Sequence, residues 1–306
     1  MSDSSIVIEN LSKRFGKKNI FEDCSYSIAN GSIFGLVGLN GAGKTTLIRL
    51  LSGLLKPDIG RISVLGSSPW SSSGSFYRRL GIVLEHDGFM GNLDFKDNMK
   101  VFAAAKGLAW PEVVLYLDDC WKDTFIHSEA AGHGKKVKYF SRGQRMQCGL
   151  CRAFLGWPEA YFFDEPTVAL DVEAYDHFCG MVRSAKARGA TILISSHQLS
   201  FIEELCDEVG ILDKKTLKRL SGKRAPAGAP WKIVAGQDVA FKEIIERISG
   251  NPAEYSDKSW HFYVTKPEEI IPEIIAHLCT AGCRIGEVRP ESFELREKMR
   301  NHYEKD

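Results

Sequence analysis

The run Ile33-Phe34-Gly35-Leu36-Val37 is followed by Gly38-Leu39-Asn40-Gly41-Ala42-Gly43-Lys44-Thr45, and then by Thr46-Leu47-Ile48-Arg49-Leu50-Leu51. This stretch decides the fold. Five apolar residues in a row predict a buried strand. Apolar residues at helical spacing from Thr45 to Leu55 predict a helix, with Gly53 and Pro57 as stop signals. Between them lies the complete pattern G-x-x-x-x-G-K-[ST]. Its glycines let backbone amides turn inward around an anion at the N-terminus of the helix. Lys44 supplies a cation for β- and γ-phosphates, the Thr45 hydroxyl suits Mg²⁺, and Thr46 can donate to an α-phosphate. The pattern is shared by kinases, GTPases and ATPases.

A second apolar run, Ala160 to Phe163, ends in Asp164-Glu165-Pro166. A carboxylate at a strand tip opposite a phosphate loop can hold Mg²⁺, a role that suits Asp164. Glu165 lies one residue further and points to a different side, where it can polarise a water for in-line attack on a γ-phosphate. A third buried strand is expected over Thr191 to Ser195, after a helix from Glu173 to Arg188. Apolar strands alternating with helices imply an α/β fold, a mainly parallel sheet covered on both faces.

Working outward, Ile6 to Ser12 reads as an edge strand followed by a turn at Arg14-Phe15-Gly16-Lys17, and Gly81 to Leu84 as a short strand. Ser67 to Ser75 reads as a surface loop. From Asp94 to about Leu155 the pattern is mostly helical, with Pro111 in a first turn. The stretch Ser221 to Pro230 is a linker by composition. Beyond it, strands at Trp231 to Ala235, Ala253 to Ser256, Trp260 to Thr265 and Cys283 to Val288 alternate with helices. Those helices are expected around Val239 to Ile248, over Pro267 to Ala281, and over Glu291 to Tyr303. The order β-α-β-β-α-β resembles a small ferredoxin-like domain.

Composition narrows the function classes. In 306 residues, 40 lysines and arginines stand against 39 aspartates and glutamates, a net charge of +1 that gives no footprint for nucleic acid. With 44 % hydrophobic and 26 % charged residues the chain is of ordinary globular type. No window of about 18 apolar residues is present, so no membrane span is expected. Met1 to Asn10 does not read as a signal peptide. The eight cysteines then read as reduced, cytosolic thiols. Cys148 and Cys151 form a lone C-x-x-C, and Cys279 and Cys283 lie four apart. Neither pair is completed into a zinc site, and buried small residues are the expected reading.

These motifs together resemble the ATP-binding cassette (ABC) nucleotide-binding domain, over about Ile6 to Leu220. The family signature, normally Leu-Ser-Gly-Gly-Gln, is matched by Phe140-Ser141-Arg142-Gly143-Gln144, with Phe140 and Arg142 as departures. The resemblance implies that Ser141, Gly143 and Gln144 face the γ-phosphate bound by a second cassette. Ala169-Leu170-Asp171 matches the loop where two cassettes touch, and His197 the switch histidine at the γ-phosphate. Phe15 matches the aromatic that stacks on adenine. Glu85 stands where a glutamine senses Mg²⁺ and water, and His86 to Asp97 resembles the segment that docks a membrane partner.

The fold implied is a P-loop cassette in residues 1–220, with an antiparallel edge subdomain and a helical signature subdomain over about 86–157. A linker at 221–230 and a small α+β domain at 231–306 follow. The function implied is ATP hydrolysis by a transporter subunit that dimerises with itself or with another cassette. It would drive a separate membrane permease from the cytoplasmic face. The run Gly286 to Phe293 resembles the C-terminal extension of exporter cassettes of the drug-resistance type. The competing reading is a soluble ABC-type ATPase acting on ribosomes or DNA. Its members carry two cassettes or a long coiled coil, and neither is legible here.

Overall fold

The computed structural model describes residues 4–70, 74–84, 88–127, 134–213, 215–221, 229–237, 239–256 and 258–290. Contacts divide the chain into two compact units, Met1–Gly222 and Lys223–Asp306.

In the first unit, strands β1 (Ser4–Phe15), β2 (Lys18–Ala29) and β4 (Ile59–Val64) form an antiparallel sheet in the order β2-β1-β4. The strand read from sequence as an edge is therefore the middle one. Alternation of apolar and polar residues marks one buried face, and it is the same for an edge or a central strand. Strands β3 (Ile33–Val37), β5 (Leu80–Val83), β6 (Ala160–Asp164), β7 (Thr191–Ser195), β8 (Glu208–Asp213) and β9 (Thr216–Ser221) form the main sheet. Its order is β5-β6-β7-β3-β8-β9, parallel except for the antiparallel pairing of β9 on β8. Every residue of β3, β6 and β7 is buried, as strands covered on both faces must be.

Helix α1 (Lys44–Leu51) follows β3 directly. Its Leu47, Ile48 and Leu51 pack in one core with Ile6, Ile8 and Phe21 of the antiparallel sheet and Phe34, Phe162 and Leu193 of the main sheet. The chain leaves β3 for the far edge at β5, works back through β6 and β7, and then crosses to β8. The carboxyl ends of β3, β6 and β7 thus meet at the point where the strand order reverses, the place where open α/β sheets bind ligands.

Helices α2 (Gly74–Arg78), α3 (Phe95–Lys106), α4 (Trp110–Cys120) and α5 (Arg142–Phe154) precede β6, and α6 (Val172–Ala187) and α7 (Leu199–Leu205) flank β7. Asp94 caps α3 by accepting from the Asp97 amide at 2.8 Å, and Gly107 closes it in the left-handed conformation. Pro111 sits in the first turn of α4. The end of α5 is anchored by Phe154. Its ring centroid lies 4.9 Å from that of Tyr161, 5.5 Å from Phe163 and 6.4 Å from Phe178.

The second unit holds β10 (Ala229–Ala235), α8 (Val239–Ser249), β11 (Glu254–Ser256), β12 (Ser259–Val264), α9 (Pro267–Thr280) and β13 (Ile285–Pro290). Its sheet order β11-β12-β10-β13 is antiparallel throughout. Each strand–helix–strand unit therefore has one strand inserted between its two, the split arrangement. Ile233, Phe241, Ile245, Trp260, Phe262, Ile274 and Leu278 form its own core. The helix expected at 291–303 and most of the linker lie outside the described residues.

Two substitutions test this packing. Phe154→Ala removes a ring from the cluster that fixes α5 to β6 and α6, and should lower unfolding stability by about 3–5 kcal/mol in denaturant titration. Gly180 lies inside α6 with open space where a Cβ would be. Gly180→Ala should raise stability by roughly 0.5–1 kcal/mol in the same measurement.

Candidate functional site

The phosphate loop is built by backbone geometry that only glycine adopts cheaply. Gly41 has φ +77° and Gly43 has φ +112°, and a Cβ on Gly43 would come within 2.7 Å of Ile20 Cγ2. Lys44 is buried at 8 % exposure. Its Nζ donates to the Gly38 carbonyl at 2.8 Å and to the Leu39 carbonyl at 3.4 Å, so the ammonium lies back across the loop it belongs to.

Asp164, at the tip of β6, is 6 % exposed. It accepts from Thr45 Oγ1 at 2.6 Å through one oxygen and from Ser195 Oγ at 2.6 Å through the other. One carboxylate thus joins α1 to the ends of β6 and β7. The motifs do not single out Ser195. The signal available was its place as the last residue of a buried apolar run, where a hydroxyl needs a partner.

Glu165 takes φ +51°, a left-handed conformation that costs a side-chain-bearing residue of order 1 kcal/mol. Its amide donates to the Ser195 carbonyl at 3.1 Å. The turn directs its side chain away from Asp164 and toward His197. There Oε2 lies 2.7 Å from His197 Nδ1 and accepts from the His197 amide at 3.3 Å. As acceptor in this bond, Glu165 places the ring hydrogen on Nδ1.

The signature residues start α5 as a capping box. Ser141 Oγ accepts from the Gln144 amide at 3.2 Å, and Gln144 Oε1 accepts from the Ser141 amide at 2.9 Å. Gly143 has a reason the sequence did not give: a Cβ there would overlap the carbonyl oxygen of Ala169. Ala169 has φ +72°, and Asp171 caps α6 by accepting from the Ala174 amide at 2.9 Å. Signature and following loop are thus locked together within one chain.

A cleft of about 680 Å³ gathers Asn40, Thr45, Asp164, Glu165 and His197 on one side with Phe140, Arg142 and Arg145 on the other. Leu39 at the loop tip is 59 % exposed. Ser141, Gly143, Gln144 and Phe15 do not line this cleft. Phe15 is half exposed, with Lys13 Nζ 5.5 Å from its ring centroid. Glu85 lies outside the described residues. Cys148 and Cys151 are fully buried and outside any disulfide, and burial pushes the Cys151 thiol well up. Among the described residues no group of three or more His, Cys, Asp or Glu could hold a metal by itself.

A glycine loop on a helix N-terminus, facing a strand-tip carboxylate across a hydroxyl, defines a P-loop nucleoside triphosphatase. Comparison with known proteins narrows the class. The ABC transporter family model matches residues 21–168. The "Nod factor export ATP-binding protein I" of Rhizobium sp. (strain N33) is 28 % identical over 96 % of this chain and 96 % of its own. That of Bradyrhizobium diazoefficiens is 33 % identical over 88 % and 89 %. The "Bacitracin transport ATP-binding protein BcrA" of Bacillus licheniformis is 35 % identical over 69 % of this chain and 68 % of its own. Among solved structures, the ATP-binding subunit of an ABC transporter superposes with TM-score 0.63 at 28 % identity, covering 70 % of this chain and 88 % of that one. A bacterial Atm1-family ABC exporter with ATP bound gives 0.62 at 26 %, covering 71 % of this chain and 38 % of that one. The chain belongs to the ABC transporter family, and within it to the ATP-hydrolysing, ATP-binding subunits.

The lock between signature and loop is testable apart from activity. Gly143→Ala should destabilise the protein by more than 1 kcal/mol, about opposite in sign to Gly180→Ala, because the Ala169 carbonyl is backbone and cannot swing aside. Ser141→Ala should cost about 1 kcal/mol through loss of the cap.

Proposed function

We propose that this chain is the motor of an exporter, closing with a second cassette around two ATP and passing that closure to a separate membrane permease. The exporter relatives that align along most of the chain support this reading. So does the absence, among the described residues, of any helix long and apolar enough to cross a membrane. The chain would then work on the cytoplasmic face of the membrane, as a homodimer or paired with another cassette. We take residues 1–220 as the nucleotide cassette, 221–230 as linker and 231–306 as an accessory domain that regulates the cassette or supports the dimer.

The observation that carries the reading is the division of labour between two adjacent carboxylates. Asp164 is buried and accepts from two hydroxyls, one on each oxygen, while Glu165 is turned away from it and held by His197. Thr45 and Asp164 present hard oxygen donors 2.6 Å apart, of the kind Mg²⁺ prefers when phosphates and waters complete its shell. These two residues fit the ion and would hold it, and by the family pattern Glu85 would sense the same ion. The ion would neutralise charge on the phosphates.

The backbone amides of the loop, Gly38, Leu39, Asn40, Gly41, Ala42 and Gly43, cradle the phosphates, with Thr45 and Thr46 at the helix start. Lys44 leaves the carbonyls of Gly38 and Leu39 to meet the β- and γ-phosphates. Phe15 stacks on the base. Glu165 orients the attacking water and takes its proton, and His197 holds Glu165 through Nδ1 while Nε2 meets the γ-phosphate. Ser141, Gly143 and Gln144 complete the site of the other cassette.

Glu165→Gln keeps the shape and removes the base. It should slow ATP hydrolysis by about 100-fold or more, measured as phosphate release, while ATP binding persists and the dimer outlasts gel filtration. Hydrolysis at the unmodified rate would remove Glu165 from this role. Lys44→Ala should abolish nucleotide binding in equilibrium dialysis, because no other described side chain places a cation inside the loop.

A further inference from the structure

The cleft above lies at the carboxyl ends of β5 and β6. Their amino ends, roughly 15 Å away along strands of this length, border a second cavity of about 220 Å³. It is lined by Arg78, Arg79, Lys106, Leu108 and residues 156–159. Three cations and one carboxylate, Glu159, face it. That carboxylate is already used: Arg79 grips it in a fork, Nε to Oε1 at 2.7 Å and Nη2 to Oε2 at 2.9 Å.

The other two cations have no such partner. Lys106 is half-buried at the last turn of α3, and its Nζ donates to the Leu80 carbonyl at 3.4 Å. Arg78 folds over Gly107, close enough that a Cβ there would sit 3.2 Å from its Nη1. Among the described residues Arg78 and Lys106 make no ion pair. A further guanidinium, Arg188, stacks on the Trp157 ring at 4.0 Å, while Glu112 is engaged by the Ala109 amide at 2.6 Å. Burial, with the Arg152 charge beside it, pulls the Lys106 ammonium down to about 8. A half-buried cation such as Lys106, crowded by other cations without countercharge, is costly, and an anion beside it removes the cost.

We propose that this cavity is a second anion site, separate from the nucleotide site, which takes a tetrahedral oxyanion of the phosphate class between Arg78 and Lys106, with Leu108 and Trp157 as its wall. The anion comes either from a soluble phosphate compound or from a phospholipid headgroup.

The test uses the full chain and sodium sulfate, a tetrahedral dianion with no proton to exchange near neutral pH. Calorimetric titration should show saturable binding, weakened about tenfold or more by Arg78→Ala and by Lys106→Met, and retained in Lys44→Ala. At pH 8 binding should take up as much as about half a proton, read from the dependence of heat on buffer ionisation enthalpy. At pH 6.5, where Lys106 is already protonated, the uptake should vanish. Arg78 is exposed, so Arg78→Ala keeps the test informative should Lys106→Met not fold. Co-sedimentation with vesicles of phosphatidylglycerol, absent with phosphatidylcholine and lost in Arg78→Ala, assigns a headgroup. Sulfate binding without vesicle capture assigns a soluble phosphate compound. No saturable binding overturns the proposal, as does binding lost in Lys44→Ala and unchanged in both pocket variants.

Discussion

The structure turns on one buried carboxylate. Asp164 accepts one hydroxyl from the first turn of α1 and one from the tip of β7, while it terminates β6 itself. A carboxylate at 6 % exposure is tolerable only when its oxygens are bonded. Satisfying it brings the phosphate loop, the second carboxylate and the strand before His197 within reach of one another. The apolar strands β3, β6 and β7 supply the rigid frame, because each is buried on both faces.

The neighbour of that carboxylate is held by a different logic. Glu165 follows Asp164 directly yet points elsewhere because its backbone adopts positive φ. The local strain is offset by the amide bond to Ser195 and the paired bonds to His197. Two adjacent acids thus acquire different surroundings: one buried among hydroxyls, the other at the cleft with a ring beside it. That is the usual route by which one pair of side chains serves two tasks. The contact of Gly143 with Ala169 extends the same economy to the signature, whose glycine is needed for close packing within its own chain.

Much of this was legible beforehand, for physical reasons. Ile33–Val37, Ala160–Asp164 and Thr191–Ser195 are uniform apolar runs, and strands buried on both faces read that way. β2 and β4 went unseen. In β2 the buried Ile20, Phe21, Cys24 and Ile28 break strict alternation because bulges shift the pairing with β1. In β4 the first three residues are exposed and include Gly60. β8 and β9 follow a short helix without a strong turn signal. In the site, motif spacing named the phosphate loop, Asp164, Glu165 and His197. It could not give the hydrogen bonds among them, nor Ser195, because partners 31 to 119 residues apart are chosen by tertiary packing. The basic cavity beside β5 was invisible for the same reason: Arg78, Lys106 and Trp157 are far apart in the chain.

The account holds that Glu165 and His197 act as one unit, with the ring holding the acid in place. A double-mutant cycle on single-turnover hydrolysis tests this directly, using Glu165→Gln, His197→Ala and the two together. The account predicts strong non-additivity, with the double variant no slower than Glu165→Gln alone. A double variant slowed by the full product of the two single effects would mean that the residues act independently, and would contradict it.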